Sequence, residues 1–434
     1  MVPLAKPPKA AVLVPGSKSI TNRALVLAAV TSWVGQCDID GALRSEDTEV
    51  MIAALSHMGF KVHANWNSSP PSVSVGPSQY VNGEYPPFSC EVDVSNSGTS
   101  MRFLAALVSL GKGRFRLDGN ARMRQRPIED LLEALRQVGV AARSENGNGR
   151  PPVVIEADRF WKGHALRVRA EASSQFLSAL LMIAPIAVPD TGNFAIEVDG
   201  PLVSEPYVNM TIEMAAHWGL MVERSGNRFL TRHAGAHGTF HEQGGYSVEP
   251  DASAASYFFA AAAITGGTVT VLGLSRKNSL QGDLRFVDLL EQMGCRVEEC
   301  SSGITVHGRP LRGVDVDMND ISDTVMTLGA VACFASGPTV IRNVAHIRHK
   351  ETDRLTALAT ELRKVGADVD EFADGLVIKP GPVYGAEIDT YDDHRMAMSL
   401  ALVGLKVPGV VIRNPGCVAK TYPGFWQDLE RLRV

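Results

Sequence analysis

The sequence predicts an α/β protein made of two domains, each with three copies of one structural unit. Three observations support this prediction. The chain has 434 residues, which is too many for one ordinary core. Apolar runs that end in glycine and lead into a β-rich run recur six times along it. Shorter amphipathic helices, each followed by glycine and a strand, recur in step with those runs.

The long apolar runs define the repeat. One example is TNRALVLAAVTSWVG followed by QCDI, and another is SGTSMRFLAALVSLGKG followed by RFRL. Glycine is common just past a helix C-terminus, so each of these glycines is expected to end a helix. They recur at intervals of about 70 to 80 residues and are Gly35, Gly113, Gly192, Gly267, Gly337 and Gly409.

The amphipathic series lies one helix later in each unit. Examples are MIAALSHMGFKV and LLEALRQVGVAA, and FWQDLERLRV takes the sixth position. The glycines of this series are Gly59, Gly139, Gly219, Gly294 and Gly366. Each unit therefore has two helices and several strands. The Gly- and His-rich stretch 225–246 falls between units three and four, and we expect the chain to cross between domains there.

Composition narrows the functional class. Apolar residues make up 45% and charged residues 21% of the chain, as in ordinary soluble proteins. The net charge of -5 gives no overall basic signal for nucleic acid, so an anion site needs a local group of Lys and Arg. The start, MVPLAKPPKA, has no secretory apolar core, and the apolar stretch 252–264 is too short to span a bilayer. We expect a cytoplasmic protein with no nucleic-acid or membrane partner.

The cysteines give no sign of a metal site. They form no CxxC pair and no Cys/His cluster, and several lie in apolar runs where cysteine packs as a small core residue. Unpaired thiols fit a reducing compartment. We therefore expect neither a metal nor a cofactor. The six cysteines are Cys37, Cys90, Cys295, Cys300, Cys333 and Cys417.

The openings of the long helices carry candidate chemistry. Small polar residues there serve as N-caps, but the free N–H groups and the macrodipole of a helix N-terminus also bind anions. Residues 15–23 (PGSKSITNR) place Lys18 and Arg23 beside a helix start. This is not a phosphate-binding loop of the GxxxxGK[ST] type, because the second glycine is missing. An anion site and a plain capped helix both remain open for it.

Two further motifs contain glycine or arginine in suggestive positions. Residues 96–102 (NSGTSMR) include Gly98, which would let backbone N–H groups approach a ligand closely. Residues 122–128 (RMRQRPI) have three arginines at alternate positions, which would point to one side of an extended segment and suit carboxylate or phosphate. The alternatives are a Gly-Thr cap for the first motif and a solvated face for the second.

The last group mixes acids and bases. It comprises residues 350–354 (KETDR) and, further along, Asp393, His394, Arg395 and Lys420. Together they could supply anion clamps and proton-transfer groups. A surface salt-bridge network is the alternative interpretation.

The motifs taken together resemble the 5-enolpyruvylshikimate-3-phosphate (EPSP) synthase family. The segments PGSKSITNRALVLAA, NSGTSMR, RMRQRPI, SSQFLSALL, DASAASYF, HKETDRL, DDHRMAM and AKTYP occur in the family's order, and the similarity spans residues 15–423. The resemblance implies a transferase of aromatic amino-acid and chorismate biosynthesis. Such an enzyme moves the enolpyruvyl group of phosphoenolpyruvate to the 5-hydroxyl of shikimate 3-phosphate by addition and elimination, and releases phosphate. Its partners would be these two small molecules, it would act as a monomer, and glyphosate would inhibit it.

The resemblance also implies roles for individual residues. Proton transfer would fall to Asp323, Glu351 and Lys18. Shikimate 3-phosphate would be bound by Lys18, Ser19, Arg23, Ser173, Ser174, Gln175, Ser204, Tyr207, Asp323 and Lys350. Phosphoenolpyruvate would be bound by Lys18, Asn96, Gly98, Arg126, Gln175, Arg354, Arg395 and Lys420.

The fold that the resemblance implies is a two-domain inside-out α/β barrel. It has six βαβαββ units, three per domain, with helices inside and sheets outside. Residues 20–240 would form the first domain, mainly the shikimate 3-phosphate side, and residues 1–19 with 241–434 would form the second. The active site would lie in the cleft between the domains, which would close when substrate arrives.

Three residues depart from the family's pattern. Phe103 stands where many members have Pro or a smaller aliphatic residue, behind the phosphoenolpyruvate pocket, so we expect weaker binding of glyphosate. Ser97 stands where Ala is common, and His346 replaces an Asn that contacts shikimate 3-phosphate in some members.

Two rival functions remain open at this point. The sister enolpyruvyl transferase that acts on UDP-N-acetylglucosamine shares the six-unit plan and often uses a loop cysteine as its acid. The corresponding stretch here, residues 111–127, has no cysteine. A non-catalytic anion-binding protein on the same fold would be expected to lack some of the charged catalytic positions, and none is missing.

Overall fold

The chain divides into two compact units. The computed structural model describes residues 1–32, 35–77, 90–188, 192–232 and 245–433. The first unit is Lys18–Val248, and the second unit joins Met1–Ser17 to Glu249–Val434. Most of the predicted crossover, at 233–244, lies outside the described residues.

Helices occur throughout both units. In chain order they are α1 (Lys18–Thr31), α2 (Glu46–His57), α3 (Gly98–Leu107), α4 (Glu129–Gln137), α5 (Ser174–Ala187), α6 (Glu205–His217), α7 (Ala252–Thr265), α8 (Phe286–Gln292), α9 (Val325–Ala332), α10 (Arg354–Lys364), α11 (His394–Ala401) and α12 (Phe425–Glu430). Short 3-10 segments that bear on the site are Met123–Gln125, Gly282–Arg285, Asn319–Thr324, Ala345–His349 and Pro415–Lys420.

The strands are short. They are β1 (Lys9–Val12), β2 (Cys37–Asp40), β3 (Lys61–Asn65), β4 (Ser72–Gly76), β5 (Cys90–Asp93), β6 (Lys112–Asp118), β7 (Ala141–Ser144), β8 (Val153–Asp158), β9 (Ala165–Arg169), β10 (Asn193–Asp199), β11 (Val222–Ser225), β12 (Arg228–Arg232), β13 (Gly245–Ser247), β14 (Thr268–Leu272), β15 (Arg296–Cys300), β16 (Gly303–His307), β17 (Leu311–Arg312), β18 (Asp315–Asp317), β19 (Ala335–Ser336), β20 (Thr339–Arg342), β21 (Asp368–Phe372), β22 (Gly375–Lys379), β23 (Glu387–Ile388) and β24 (Val411–Ile412).

Five four-stranded sheets share one topology. In β5-β6-β8-β7, for example, the first pair is parallel and the next two pairs are antiparallel. The same order recurs in β9-β10-β12-β11 and β18-β20-β22-β21. A strand from a distant part of the chain completes each of the other two, because β13 pairs with β2 and β1 pairs with β14. The described residues thus form a mixed α/β fold in which a parallel strand flanks each of these β-hairpins, and in three of the five sheets a helix connects the two strands of the parallel pair.

The two helix series differ in burial as their sequences predict. Every residue of α7 except Thr265 is buried, as expected for a helix that is apolar on all faces. In α4 only Leu131, Leu132, Ala134 and Leu135 are buried, on one face. The long helices thus form the cores of their units, and the polar residues at their openings are the ones left to meet solvent or ligand.

The prediction that each repeat glycine ends a helix is confirmed for the amphipathic helices and partly wrong for the long apolar helices. Gly59, Gly139, Gly219, Gly294 and Gly366 all have positive φ just after a helix. In the long series, Gly266 (φ 72) ends α7, not Gly267. Gly113 lies inside β6. In the sequence, the Gly266–Gly267 pair and Gly113 in β6 looked the same as a single glycine that ends a helix.

Candidate active site

The second unit gathers most of its candidate residues into one largely buried group, which we call the Asp323 cluster. Asp323 lies in the 3-10 segment before α9, and Lys350 and Glu351 lie just before α10. Arg354 is the first residue of α10. The cluster also includes two residues at the opening of α11, which are Asp393 and Arg395. Residues from the first turns of several helices therefore meet at one point.

Asp323 is held by three cations. Its carboxylate accepts hydrogen bonds from Lys350 Nζ at 2.5 Å and from Arg354 Nη1 at 3.1 Å. It also accepts one from Arg395 Nη2 at 2.6 Å. Burial alone would raise the pKa of Asp323, but attraction to Arg395, Lys350 and Arg354 outweighs it and holds the pKa well below the ordinary value. Asp323 is therefore an ionised hydrogen-bond acceptor in this arrangement.

Arg354 joins three carboxylates and is only 1% exposed. Its Nε donates to Asp393 Oδ2 at 2.7 Å, and its Nη2 donates to Glu351 Oε2 at 2.8 Å. With the bond to Asp323, one guanidinium bridges both proposed proton-transfer carboxylates. Burial opposes its charge, but Asp393, Glu351 and Asp323 more than offset that and raise its pKa.

A strained turn positions Asp393. The two preceding residues, Tyr391 and Asp392, have φ of 53 and 57, a left-handed conformation that costs a residue with a Cβ about 1–2 kcal/mol. Asn414 Nδ2 donates to Asp392 Oδ1 at 2.9 Å and supports the turn. Asp393 then caps α11 by accepting from the backbone N–H of Arg395 at 2.8 Å. The turn thus places one carboxylate where it can both start a helix and orient Arg354.

Arg395 connects Asp323 to a second buried carboxyl. Its Nη2 lies 3.4 Å from Ser253 Oγ, and its Nη1 lies 3.4 Å from the Tyr257 hydroxyl. Ser253 Oγ in turn bonds Asp283. Burial raises the pKa of Asp283 to about 6, helped by the nearby charge of Asp323. Burial likewise raises the pKa of Tyr257 to about 12.

Three basic residues lie within or beside the cluster, and they are Lys350, His346 and Lys420. Burial lowers the pKa of Lys350, and Asp323 only partly offsets the effect. His346 is buried, and burial together with the nearby Lys350 lowers its pKa to about 3, so its ring is neutral. Lys420 is buried at the end of the segment Pro415–Lys420, which packs against α11. Lys350 and Lys420 therefore add two amino groups to the two arginines of the cluster.

In the first unit, Arg23 ties α1 to two other helices, and we call its surroundings the Arg23 site. Its Nε donates to Thr211 Oγ1 at 2.7 Å, and its Nη2 donates to Ser178 Oγ at 3.3 Å and to the Tyr207 carbonyl at 3.2 Å. Its Nη1 donates to the Ser19 carbonyl at 3.0 Å. Burial lowers the pKa of Arg23 to about 10, which still leaves it charged near neutral pH.

The opening of α3 is lined by two arginines. Arg102 Nη1 donates to the Gly98 carbonyl at 3.0 Å, and Arg126 Nη1 donates to the Asn96 carbonyl at 3.4 Å. A Cβ at Gly98 would lie 2.4 Å from Arg126 Nη2 and 2.5 Å from Arg102 Nη1. Ser97 caps α3 through the N–H of Ser100. Because residue 98 is glycine, the guanidiniums of Arg102 and Arg126 can both occupy the space that a Cβ would take.

The opening of α5 lies beside that of α3. Gln175 Nε2 donates to Thr99 Oγ1 at 3.1 Å. Ser173 caps α5 by accepting from the N–H of Gln175, and Ser174 is the first helical residue. Ser204, with φ of 50, precedes α6 in a left-handed conformation. These contacts bring Gln175 to the Gly98 opening.

Lys18 is the first residue of α1. Its Nζ pairs with Asp47 Oδ2 at 3.3 Å. Asp47 lies in the first turn of α2, and its side chain is 4% exposed.

One sequence expectation about arginine was wrong. The segment 122–128 is not extended, because Met123–Gln125 forms a 3-10 turn. Arg124 instead forms two bonds to Asp118, and Arg122 donates to Gln125. Only Arg126 of the three is buried. Arg124 binds Asp118 on β6 and therefore does not share a face with Arg126. The alternate spacing of the arginines in the sequence could not reveal this interaction.

No role could be assigned from the sequence to several residues that complete these sites. Asp47, Thr211 and Asp283 lie outside the quoted motifs. Thr99, Ser178, Ser253 and Tyr257 lie within them, but no contact was predicted for these four. Each is a small or common polar residue on a different element from the group it contacts. Asp393 was noted within a motif, but nothing in the sequence indicated that it would pair with Arg354. The repeat itself offered the best signal, since most of these residues lie in the first two turns of a helix.

Within the described ranges, no group of three or more His, Cys, Asp or Glu side chains could hold a metal ion. No helix in that same part of the chain is long and apolar enough to cross a bilayer.

Comparison with known proteins gives consistent matches. Residues 5–429 match the family model described as EPSP synthase (3-phosphoshikimate 1-carboxyvinyltransferase). A 3-phosphoshikimate 1-carboxyvinyltransferase of Trichormus variabilis is 47% identical over 433 residues, which cover 98% of this chain and 96% of that one. The chloroplastic protein of that name from Solanum lycopersicum is 42% identical, covering 97% of this chain and 82% of that one.

Solved structures agree in fold. An EPSP synthase from Acinetobacter baumannii superposes with a TM-score of 0.79 at 27% identity, covering 100% of this chain and 97% of that one. The enolpyruvyl transferase NikO from Streptomyces tendae gives a TM-score of 0.76 at 20% identity, covering 99% of this chain and 96% of that one. At that identity the second likeness concerns the fold alone.

Proposed function

This chain belongs to the EPSP synthase family, and from that premise we propose that it transfers the enolpyruvyl group of phosphoenolpyruvate to the 5-hydroxyl of shikimate 3-phosphate. The products are 5-enolpyruvylshikimate 3-phosphate and phosphate. The single observation that best supports this chemistry is the bridge that Arg354 makes between Asp323 and Glu351. The proposed proton acceptor, Asp323, and the proposed proton donor, Glu351, are both hydrogen-bonded to Arg354, a cation that suits an anionic substrate.

Both substrates are polyanions, and both units offer buried cations. In the second unit Arg354, Arg395 and Lys420 are each at most 6% exposed. We propose that they bind the carboxylate and phosphate of phosphoenolpyruvate, together with Arg126, Asn96, Gly98 and Gln175 of the first unit. Arginine forks suit these planar and tetrahedral anions. The two groups of residues would thus serve one reaction.

The acceptor substrate would use mainly the first unit. Ser173, Ser174, Ser204 and Tyr207 would hold its phosphate and ring, and Asp323 and Lys350 would hold its hydroxyls. Ser19 and Arg23 would bind where the two substrates meet. Hydroxyl side chains and backbone N–H groups at helix openings are suited to a phosphate.

Binding of phosphoenolpyruvate would activate Asp323. With three cations around it, Asp323 is a weak base. Because Arg354 and Arg395 are also proposed ligands of phosphoenolpyruvate, the substrate anion would compete for them and raise the proton affinity of Asp323. Asp323 could then accept the proton of the 5-hydroxyl as its oxygen bonds to C2.

Glu351 would handle the other proton. As the C2–O bond forms, the C2=C3 electron pair takes a proton from Glu351, and the methylene becomes a methyl group. In the second step Glu351 removes a proton from that methyl group, the double bond re-forms, and the C2–O bond to phosphate breaks. Lys18 would be the third proton-transfer group and would neutralise charge on the substrates.

The finer architecture belongs to the same proposal. We propose six βαβαββ units, three per domain, arranged as an inside-out barrel that acts as a monomer. The sheet order common to five sheets and the burial of α1, α3, α5, α7, α9 and α11 support it.

Steady-state phosphate release tests the proposed function. Release should require phosphoenolpyruvate and shikimate 3-phosphate together, and omission of either should abolish it. UDP-N-acetylglucosamine in place of shikimate 3-phosphate should give none. Release with that acceptor would favour the sister transferase, and binding of both substrates without release would favour a non-catalytic anion-binding protein.

A further inference from the structure

A second buried acid, Glu361, lies on α10 outside the Asp323 cluster, and its side chain has no exposed surface. It follows Arg354 by seven residues on the same helix. That spacing places both side chains on one face of the helix, about 10 Å apart along its axis. The face packs against residues 389–393, which we call the Asp393 turn. Arg354 contacts the end of this turn, and Glu361 contacts its beginning.

Glu361 holds the beginning of the Asp393 turn through both of its carboxylate oxygens. Its Oε2 accepts a hydrogen bond from the backbone N–H of Asp389 at 3.1 Å, and its Oε1 accepts one from the Tyr391 hydroxyl at 2.7 Å. Lys364 Nζ pairs with Glu361 at 2.9 Å and with Asp389 at 2.8 Å. A simple surface ion pair between Glu361 and Lys364 would need neither of the bonds to the turn.

The contacts between α10 and the Asp393 turn follow one order. Positions 364, 361 and 354 of the helix meet positions 389, 391 and 393 of the turn. The turn therefore runs back along α10 from the C-terminal half of the helix to its first residue. Because a single helix contacts both ends of the turn, a change at position 361 can alter the contact at position 354.

The Asp393 turn needs support because its backbone is strained. Tyr391 and Asp392 both have left-handed φ, which is unfavourable for a residue with a Cβ and persists only where the surroundings hold it. Asn414 holds Asp392 from one side, and Glu361 holds Tyr391 from the other. Loss of the Glu361 contacts would leave the turn held mainly at Asp392, and Asp393, which follows directly, would shift.

We propose that Glu361 is a positioning residue for the reaction, because it holds the turn that places Asp393 against Arg354. The inference rests on the proposed function, in which Arg354 binds phosphoenolpyruvate and bridges Asp323 and Glu351. Both Nε and Nη2 of Arg354 donate to Asp393, so the position of that carboxylate sets the angle of the guanidinium. Glu361 acts on the reaction through this angle.

Steady-state kinetics on Glu361→Gln test the proposal. Glutamine keeps the size of the side chain but has one acceptor oxygen, so one of the two bonds to the turn is lost together with the charge that pairs with Lys364. A displacement of about 1 Å in a positioned group costs about a hundredfold in rate, and Asn414 still holds part of the turn. We therefore expect kcat/KM for phosphoenolpyruvate to fall about tenfold.

A double-mutant cycle separates positioning from general damage. Asp393→Asn keeps the cap of α11, because asparagine caps a helix as well as aspartate does, but it leaves Arg354 one acceptor oxygen where there were two. If Glu361 acts through Asp393, adding Glu361→Gln to Asp393→Asn should lower kcat/KM less than about twofold further. A purely structural role for Glu361 would give the same loss in both backgrounds.

Asp428→Asn is the matched control. Asp428 lies on α12 and accepts from the Tyr422 hydroxyl at 2.7 Å, the same length as the bond between Tyr391 and Glu361. This substitution should lower the melting temperature but change kcat/KM less than about twofold. If Glu361→Gln does not fold, Tyr391→Phe, which removes only the hydroxyl, should lower kcat/KM about threefold, and this loss should disappear in the Asp393→Asn background.

Three results would overturn the inference. They are a kcat/KM for phosphoenolpyruvate that stays within about twofold of normal in a folded Glu361→Gln protein, equal losses with and without Asp393→Asn, and a loss in Asp428→Asn as large as that in Glu361→Gln. Failure of the proposed function would look different, because the unaltered protein itself would then release no phosphate from the two substrates.

Discussion

Substitution of Gly98 by Ala should disable phosphoenolpyruvate binding while leaving the fold intact. The new Cβ would lie 2.4 Å from Arg126 Nη2, 2.5 Å from Arg102 Nη1 and 2.7 Å from Arg126 Cζ. Ordinary contact for a Cβ begins at 3.4 Å. The clashing atoms are the ends of flexible side chains, so the guanidiniums can move and the backbone can stay.

The required shift sets the magnitude. Each guanidinium must retreat by about 1 Å, and a displacement of that size in a positioned group costs about a hundredfold in rate. We expect kcat/KM for phosphoenolpyruvate to fall by about 10- to 100-fold, mainly through KM, because Arg126 is proposed to bind that substrate. Binding of shikimate 3-phosphate alone, measured by calorimetry, should change less than about threefold.

A second glycine provides the control. Gly35, in the same unit, has nothing within 4 Å of its would-be Cβ. Gly35→Ala should leave both substrates unaffected. A normal KM for phosphoenolpyruvate in Gly98→Ala would refute the reasoning, as would equal losses for both substrates, which would indicate general damage to the first unit.

Three further predictions concern the second unit. Glu351→Gln should lower turnover at saturating substrates by about two to four powers of ten; near-normal turnover would mean that Glu351 only orients Arg354. Asp323→Asn removes the anion shared by two buried arginines, Arg354 and Arg395, and the partly exposed Lys350. It should lower the free energy of unfolding by about 3 kcal/mol in urea denaturation, because Arg354 keeps Asp393 and Glu351 but Arg395 loses its carboxylate; a loss below about 1 kcal/mol would contradict the described network. Asp283 has a folded-state pKa of about 6, above that of the unfolded chain, so the native state keeps a proton that the unfolded chain releases near pH 4. The contribution of Asp283 to the free energy of unfolding should therefore fall as the pH rises from about 4 to about 6. Asp283→Asn should lack this pH-dependent loss, and identical pH profiles for the two proteins would contradict the prediction.

The sequence predicted the order of the elements better than their contacts. Periodic apolar runs and glycines are local signals, so the helices and their polar openings could be placed from the sequence. The pairing of Arg354 with Asp393 spans 39 residues, and that of Arg23 with Thr211 spans 188. Such pairings depend on how helices pack and leave no local trace.

The errors have the same origin. The alternating arginines at 122–126 suggested one shared face, but Asp118 on a neighbouring strand selected Arg124 and left Arg126 to be buried. Gly266 and Gly267 are adjacent, and only the backbone decides which of them ends α7. Three site residues are ordinary polar residues that matter only because of the groups they contact in the fold. Thr99 contacts Gln175, Ser178 contacts Arg23, and Ser253 contacts Arg395.

One measurement tests the central claim, an addition followed by an elimination, most directly. With both substrates in deuterated water, NMR should show deuterium at C3 of the enolpyruvyl product and of recovered phosphoenolpyruvate, because the methylene carbon becomes a freely rotating methyl group before it loses a proton. Incubation with phosphoenolpyruvate alone should show no exchange. Product formed without deuterium at C3 would contradict the account, since it would mean that the methylene carbon is never protonated from an exchangeable group.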